Sequence, residues 1–394
     1  MAEPAASPGA DAPLRLLLAP NAFKGTFGAV RVAGVWEAAL RGRPGVETIA
    51  RPLSDGGDGA LDVWDSLLAR GAAPGPLRVW FVARDALDRP ARTPVLWEPA
   101  QRAGYVETAL ACGLARIPAA ARDPLRATTF GCGQLLLGLL ELGARDVTLG
   151  LGGSATVDGG LGLARALGYR FRSSAGVEIE RAADLAALAA IEPPASRPWA
   201  EARVRALTDV ASPLLGAEGA ARVFGPQKFP PGAAAPQAAL DLLERGLGRL
   251  AERMAVDLGV EVRDLAGAGA AGGLAAGVVA FAGAELRSGA AHFLGLAGVR
   301  DVLAGTAAPA VDGVITGEGS YDAQSERGKL AGALRSLCAE AGVPLAVVAG
   351  SAPGRGGDLV VTGADLEPPT SELDEAALAA LALEAAHRLA EARG

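Results

Sequence analysis

Short apolar β-branched runs alternate with glycine-rich polar loops and with segments of helical period along this chain. Residues 14–19 read as a buried strand and 46–50 as a second. Between them Val32, Val35, Trp36, Ala39 and Leu40 recur at the spacing of one helix face. A further helix ends near Arg70, and Gly71, Pro74, Gly75 and Pro76 mark a break. The texture then changes. Residues 77–83, 93–98 and 104–108 read as successive strands, the first two joined by a turn over 85–90, which is antiparallel punctuation. Helices are predicted over 129–142 and 236–256, and strands over 147–151 and 204–207. Residues 274–283 and 289–303 read as helical. From Val311 the opening rhythm returns, with strand 311–315, helix 325–341, strands 345–349 and 358–362, and a last amphipathic helix over 372–392.

This rhythm predicts an α/β protein of two α/β domains. One is discontinuous, residues 14–72 plus 287–394, and the other, 73–286, is inserted in it. A chain of 394 residues suits two cores better than one. Residues 1–13 are Ala/Pro/Gly-rich and lack the basic start and apolar stretch of a signal peptide, so they are expected to be a disordered extension. A cleft between the domains is the default ligand site.

Three glycine-rich, acidic loops follow apolar runs. They are 53–59 with Asp55 and Asp58, 152–160 with Gly152, Gly153, Ser154, Thr156 and Asp158, and 316–322 with Gly317, Glu318, Gly319 and Asp322. Strand ends that turn on glycine are where α/β proteins seat ligands. Glycine lets backbone approach a phosphate, and carboxylates there hold a metal or take a proton. The loops therefore point to phosphate chemistry. The helix start after 152–160 is expected to cradle an anion.

Composition narrows the field. The net charge of −7 argues against a nucleic-acid partner, and no apolar run reaches the roughly 18 residues of a membrane span. The three cysteines are too widely spaced for a disulfide framework or a zinc site, which fits a reducing cytoplasm. The two histidines, His292 and His387, lie in apolar, helix-like surroundings, so general-base work falls to a carboxylate.

Each candidate has a plainer reading beside it. Lys24 and Lys228 suit a phosphate as point charges, or are solvated loop lysines. Asp55 and Asp58 could hold Mg²⁺ or orient a hydroxyl, or simply cap a helix. Asp209, at a strand end, is a base, a metal ligand or a turn aspartate. Glu318 and Asp322 suit a metal or a nucleotide ribose, or form an exposed acidic turn. Residues 267–272 match G-x-G-x-x-G but lack the acidic residue and second strand of a dinucleotide site, so they read as a turn into an apolar helix. Gly328 and Lys329 are no Walker A, since Ala323 and Leu330 stand at its glycine and Ser/Thr positions.

Taken in order, APNAFKGT at 19–26, SDGGDG at 54–59, RDPL at 122–125, the 152–160 loop, FGPQK at 224–228, GAGAAGG at 267–273, GAELRSG at 283–289, and TGEG at 316–319 with Asp322, Gln324, Gly328 and Lys329 resemble the bacterial glycerate kinase family, the class with no Walker motif. The resemblance implies a flavodoxin-like discontinuous domain and an inserted mixed-sheet domain likened to a restriction-endonuclease fold. It implies ATP- and Mg²⁺-dependent phosphorylation of D-glycerate, giving 2-phosphoglycerate. On this reading Lys24, Asp55 and Asp209 are catalytic, and Gly152, Gly153, Ser154, Thr156, Asp158 and Lys228 bind substrate and phosphate. Gly317, Glu318, Gly319, Asp322 and Lys329 bind nucleotide, and Asp55, Asp209 and Glu318 hold the metal. Asn21, Ala60, Val157, Ser212, Cys112 and Cys132 depart from the family's usual residues. Those departures keep open a kinase of a related small hydroxy acid, or a non-catalytic small-molecule-binding relative. A homodimer is compatible with the sequence, which sets no oligomeric state.

Overall fold

Thirteen strands form among the described residues: β1 (Leu14–Pro20), β2 (Val46–Ala50), β3 (Leu77–Arg84), β4 (Pro90–Glu98), β5 (Ala103–Glu107), β6 (Asp146–Gly150), β7 (Arg170–Ser173), β8 (Leu188–Glu192), β9 (Arg203–Leu207), β10 (Glu285–Arg287), β11 (Gly313–Ser320), β12 (Leu345–Ser351) and β13 (Leu359–Thr362). The structure is a computed structural model that describes residues 13–23, 25–69, 75–232, 236–306, 309–321, 330–352 and 359–393. The expected extension, save Pro13, lies outside them, as do 325–329 at the start of the expected 325–341 helix. No helix among the described residues is long and apolar enough to cross a membrane.

The chain divides into two units. The first takes the segment ending at Asp55, then Asp62–Leu67, and the chain from Ala290 onward. Its sheet is parallel throughout, in the order β13-β12-β11-β1-β2. Counted within the unit this is 2-1-3-4-5, the flavodoxin order. Parallel strands are covered on both faces, which is why Leu16, Leu17 and Leu18 are all buried and the run shows no alternation. The helices Ala29–Arg41 and Glu375–Arg393 share one core, through Val32, Trp36 and Leu40 on the first and Leu378, Leu381 and Leu389 on the second. Leu330 and Leu334 of the helix Leu330–Ala341 are also buried.

The second unit takes Gly56–Leu61 and Leu68–Gly289. Its six-stranded sheet runs β10-β9-β6-β5-β4-β3, with β5, β6, β9 and β10 parallel and β3 and β4 antiparallel. Leu135, Leu136 and Leu139 of the helix Phe130–Glu141 and Leu243, Leu247 and Leu250 of the helix Gln237–Leu258 belong to its large apolar core.

Four features differ from the sequence reading. Gly56–Leu61 falls with the second unit, because it packs on that unit's strand ends. An antiparallel hairpin, β7 with β8, occupies residues to which the sequence reading assigns no element; it buries Phe171 and Ile191. Residues 285–287 form β10, parallel to β9. The helix expected over 289–303 breaks at Gly298, whose φ of 61° is left-handed, into Gly289–Leu296 and Val299–Leu303.

Candidate active site

In the second unit the last residues of four parallel strands stand in one row. Glu107 of β5 is level with Gly150 of β6, Gly150 with Leu207 of β9, and Leu207 with Arg287 of β10. Hydrogen bonds carry the row one residue further. Thr108 N–H donates to Gly150 O (3.1 Å), Leu151 N–H to Leu207 O (3.0 Å) and Thr208 N–H to Arg287 O (2.9 Å). The loops beyond these ends hold Ser154, Thr156, Asp158, Asp209 and Ser288, at the edge where α/β sheets bind ligands.

Gly56, Gly57 and Asp58 lie across this row. A β-carbon on Gly150 would meet Gly56 O at 2.3 Å, and one on Gly152 would meet Gly57 Cα at 2.6 Å. Backbone therefore packs on backbone, which only glycine allows. Both oxygens of Glu107, a buried side chain, accept backbone N–H groups of the same segment, from Gly59 and Leu61, each at 2.9 Å.

Asp158 is 1% exposed. Its Oδ2 accepts Thr129 N–H (2.9 Å), Thr129 O–H (2.8 Å) and Gly162 N–H (3.1 Å), and its Oδ1 accepts Gly160 N–H (3.1 Å). Burial pushes its pKa up and these donors pull it back. The helix start expected to cradle an anion is thus already filled by the protein's own carboxylate.

Lys228 is 2% exposed. Its Nζ donates to Ser154 Oγ (3.0 Å) and Thr156 O (2.7 Å), so the lysine grips the loop from within. Burial lowers its pKa to about 8, with Cys112 and Asp158 acting in the opposite direction. Thr156 Oγ1 is buried with no hydrogen-bond partner among the described residues. Ala271, Gly272 and Gly273 form a left-handed turn, φ 54°, 72° and 85°. A β-carbon on Gly272 would meet Thr156 O at 1.8 Å and Lys228 Nζ at 3.0 Å. The 267–273 glycines thus serve close packing against the loop.

The other face of the loop rests on Cys112, whose carbonyl accepts Ala155 N–H (2.8 Å), and on Leu114, whose N–H donates to Gly153 O (2.7 Å). The Cys132 thiol points at Cys112 Sγ across 3.5 Å, both groups buried. Asp209 Oδ1 accepts Ser288 O–H at 2.7 Å, and Asp209 is half-buried.

The structure therefore brings Gly152, Gly153, Ser154, Thr156, Asp158, Asp209 and Lys228 to one edge. The first unit holds Asp55 and, on β11, Gly317, Glu318 and Gly319; Gly317 O accepts Asn21 N–H at 2.9 Å. Lys24, Asp322 and Lys329 lie outside the described residues. Sequence reasoning missed Glu107, Thr129 and Ser288. Nothing local to Glu107 pointed to its role, since its partner amides lie 48 and 46 residues away in sequence.

Residues 16–391 match the model of the glycerate kinase family. The chain belongs to that family. Among its relatives, a glycerate 2-kinase of Escherichia coli K12 is 34% identical over 86% of this chain and 85% of its own. A glycerate kinase of Halalkalibacterium halodurans is 34% identical over 92% of this chain and 93% of its own. A crystal structure assigned to glycerate kinase 2 of Salmonella typhimurium LT2 superposes with a TM-score of 0.78, at 32% identity, over 96% of this chain and 98% of that one.

Proposed function

We propose that this member of the glycerate kinase family transfers the γ-phosphoryl group of ATP to D-glycerate, with the 2-hydroxyl as acceptor. The observation that carries the reading is the near-complete family match together with the row of strand ends. The 2-hydroxyl is favoured because the Escherichia coli relative is a glycerate 2-kinase.

Phosphoryl transfer needs positioning and charge neutralisation more than covalent help. The residues suit both. Thr156 Oγ1, a buried hydroxyl with no partner among the described residues, suits an anionic ligand at the loop, and Lys228 sets a positive charge beneath the same segment. Mg²⁺ takes one or two carboxylates and completes its shell with water and phosphate oxygens. Asp209, Asp55 and Glu318 are oxygen donors of that kind, and one or two of them would hold it. There it would neutralise charge on the phosphates. Asp209 takes the proton of the attacking hydroxyl; Ser288, donating to Oδ1, fixes the carboxylate's orientation. Gly152, Gly153 and Ser154 line the phosphate side. In the first unit Gly317, Glu318 and Gly319 serve the nucleotide, joined in this reading by Asp322 and Lys329, and Lys24 binds the transferring phosphoryl group or the glycerate carboxylate. We place the enzyme in the cytoplasm, where three unbridged cysteines are stable.

The test is ADP release with ATP and Mg²⁺ on D-glycerate, L-glycerate and related hydroxy acids, with the product position read by phosphorus NMR. Turnover on D-glycerate to the 2-phosphate is expected. Turnover only on another acid overturns the substrate, and the 3-phosphate overturns the acceptor. Asp209→Asn with near wild-type kcat removes Asp209 from the proton-accepting role.

A further inference from the structure

We propose that Glu107 is a positioning residue for the phosphoryl transfer, holding the 56–61 segment, which carries Asp58, against the 152–160 loop that lines the phosphate side. The inference rests on the kinase reading above.

Glu107 closes β5, and its neighbour Thr108 grips the base of the other loop. Thr108 N–H and O–H both donate to Gly150 O, at 3.1 and 2.8 Å. Two consecutive residues thus fasten two glycine-rich segments to one strand end. Glu107 holds Gly59 and Leu61, and Thr108 holds Gly150. What lies between is fixed by contact. Gly56 stacks on Gly150, Gly57 on Gly152 and Asp58 on Gly153, where a β-carbon would meet Asp58 Oδ1 at 2.2 Å.

The chemistry of the anchor is specific. Gly59 and Leu61 straddle Ala60, the first residue of the helix Ala60–Leu68. N–H groups at a helix start carry partial positive charge and accept a carboxylate well. Burying a carboxylate is costly unless donors compensate, and here one N–H serves each oxygen. The same pairing occupies this helix start, so phosphate has no claim on it. The exposed carboxylate of Asp58, one residue before Gly59, is left at a defined place above the loop. Gly56 and Gly59, at φ 88° and 81°, give the segment little stiffness of its own, so the anchor adds to the contacts that order it.

Glu107→Gln keeps the volume and one acceptor but turns an NH₂ toward the second N–H. On the acceptor the wild type uses, kcat is expected to fall about 10- to 100-fold, the loss that misplacement by about an ångström brings. KM for ATP and for the acid should change by less than about threefold, because Glu107 touches neither. Hydrogen exchange, read by mass spectrometry on peptides covering 56–61, should quicken while the melting temperature stays near wild type. An unchanged kcat with faster exchange overturns the proposal, as does a fall in kcat that vanishes when rates are taken per folded molecule. Where Glu107→Gln does not fold, Glu107→Asp, which keeps the charge but reaches only one amide, is measured by the same readouts. If the wild type phosphorylates another hydroxy acid and not glycerate, the substrate reading falls, and the same comparison on that acid still decides Glu107.

Discussion

Asp58 sits directly over Gly153, close enough that a β-carbon there would fall 2.2 Å from one carboxylate oxygen and 2.6 Å from the other. Gly153 also has a φ of 58°. The left-handed backbone favours glycine there, and a β-carbon would in addition force the Asp58 carboxylate to shift. Gly153→Ala should lose about 1–3 kcal/mol of stability. Asp58→Ala in the same chain should recover the steric part and leave the conformational part. A double-mutant cycle by chemical denaturation reads the coupling; strictly additive effects would mean that the two residues do not touch.

Asp158 is the clamp of the loop's far end. Asp158→Ala leaves the Thr129 N–H and O–H and the Gly160 and Gly162 N–H groups without their acceptor. A loss of about 3–5 kcal/mol is expected, seen as a large drop in melting temperature. Asp158→Asn should cost less, because its oxygen can serve the three donors now on Oδ2.

Lys228 links stability and activity to pH. Folded, it releases its proton at about pH 8; unfolded, at 10.5. Between these values the unfolded chain holds a proton that the folded chain does not, so this group's contribution to stability rises with pH across the window. Below about pH 8 the buried ammonium costs about 3 kcal/mol. The carboxylate set against it is that of Asp158. The profile of kcat/KM should bend downward near pH 8, and Lys228→Arg, whose charge persists, should move that limb to higher pH in whatever activity remains. A flat profile to pH 10 would show that the ammonium is not needed.

The three cysteines are buried, and burial raises the Cys338 thiol to about 12. Cys132, buried against the Cys112 sulfur, is pushed well above its ordinary value. Thiols of this kind react slowly because the thiolate is the nucleophile. A disulfide reagent should count none in the native protein within minutes and all three after denaturation. A native count of two or more would mean that the Cys112–Cys132 contact opens readily, since Cys338 can account for only one.

Some of this was legible in the sequence for physical reasons. The first unit's inner strands are buried on both faces, so they stand out as apolar runs at 16–19 and 345–349, while the edge strand β2, Val-Glu-Thr-Ile-Ala, is mostly half-buried and shows less plainly. The hairpin of β7 and β8 did not show. Leu-Ala-Ala-Ile-Glu favours helix, and only the burial of Phe171 and Ile191 overrides that preference. The glycine loops announced themselves because backbone stacking excludes side chains. Glu107 did not, because a single carboxylate at a strand end gives no local sign that its partner amides lie 48 and 46 residues away. The left-handed turn at Ala271 was equally hidden, since alanine carries no signal for positive φ.

The first unit's sheet has a consequence for how the chain is made. Leu16 of β1 finds its neighbour at Gly313 of β11. Of the two strands that flank β1, β2 arrives promptly, while β11 is synthesised last but two. One edge of β1 therefore stays open on the ribosome until nearly 300 further residues have emerged (297 separate Leu16 from Gly313). An early stop codon anywhere before β11 would release a fragment carrying the naked edge of an apolar strand, a template for aggregation rather than a shorter enzyme.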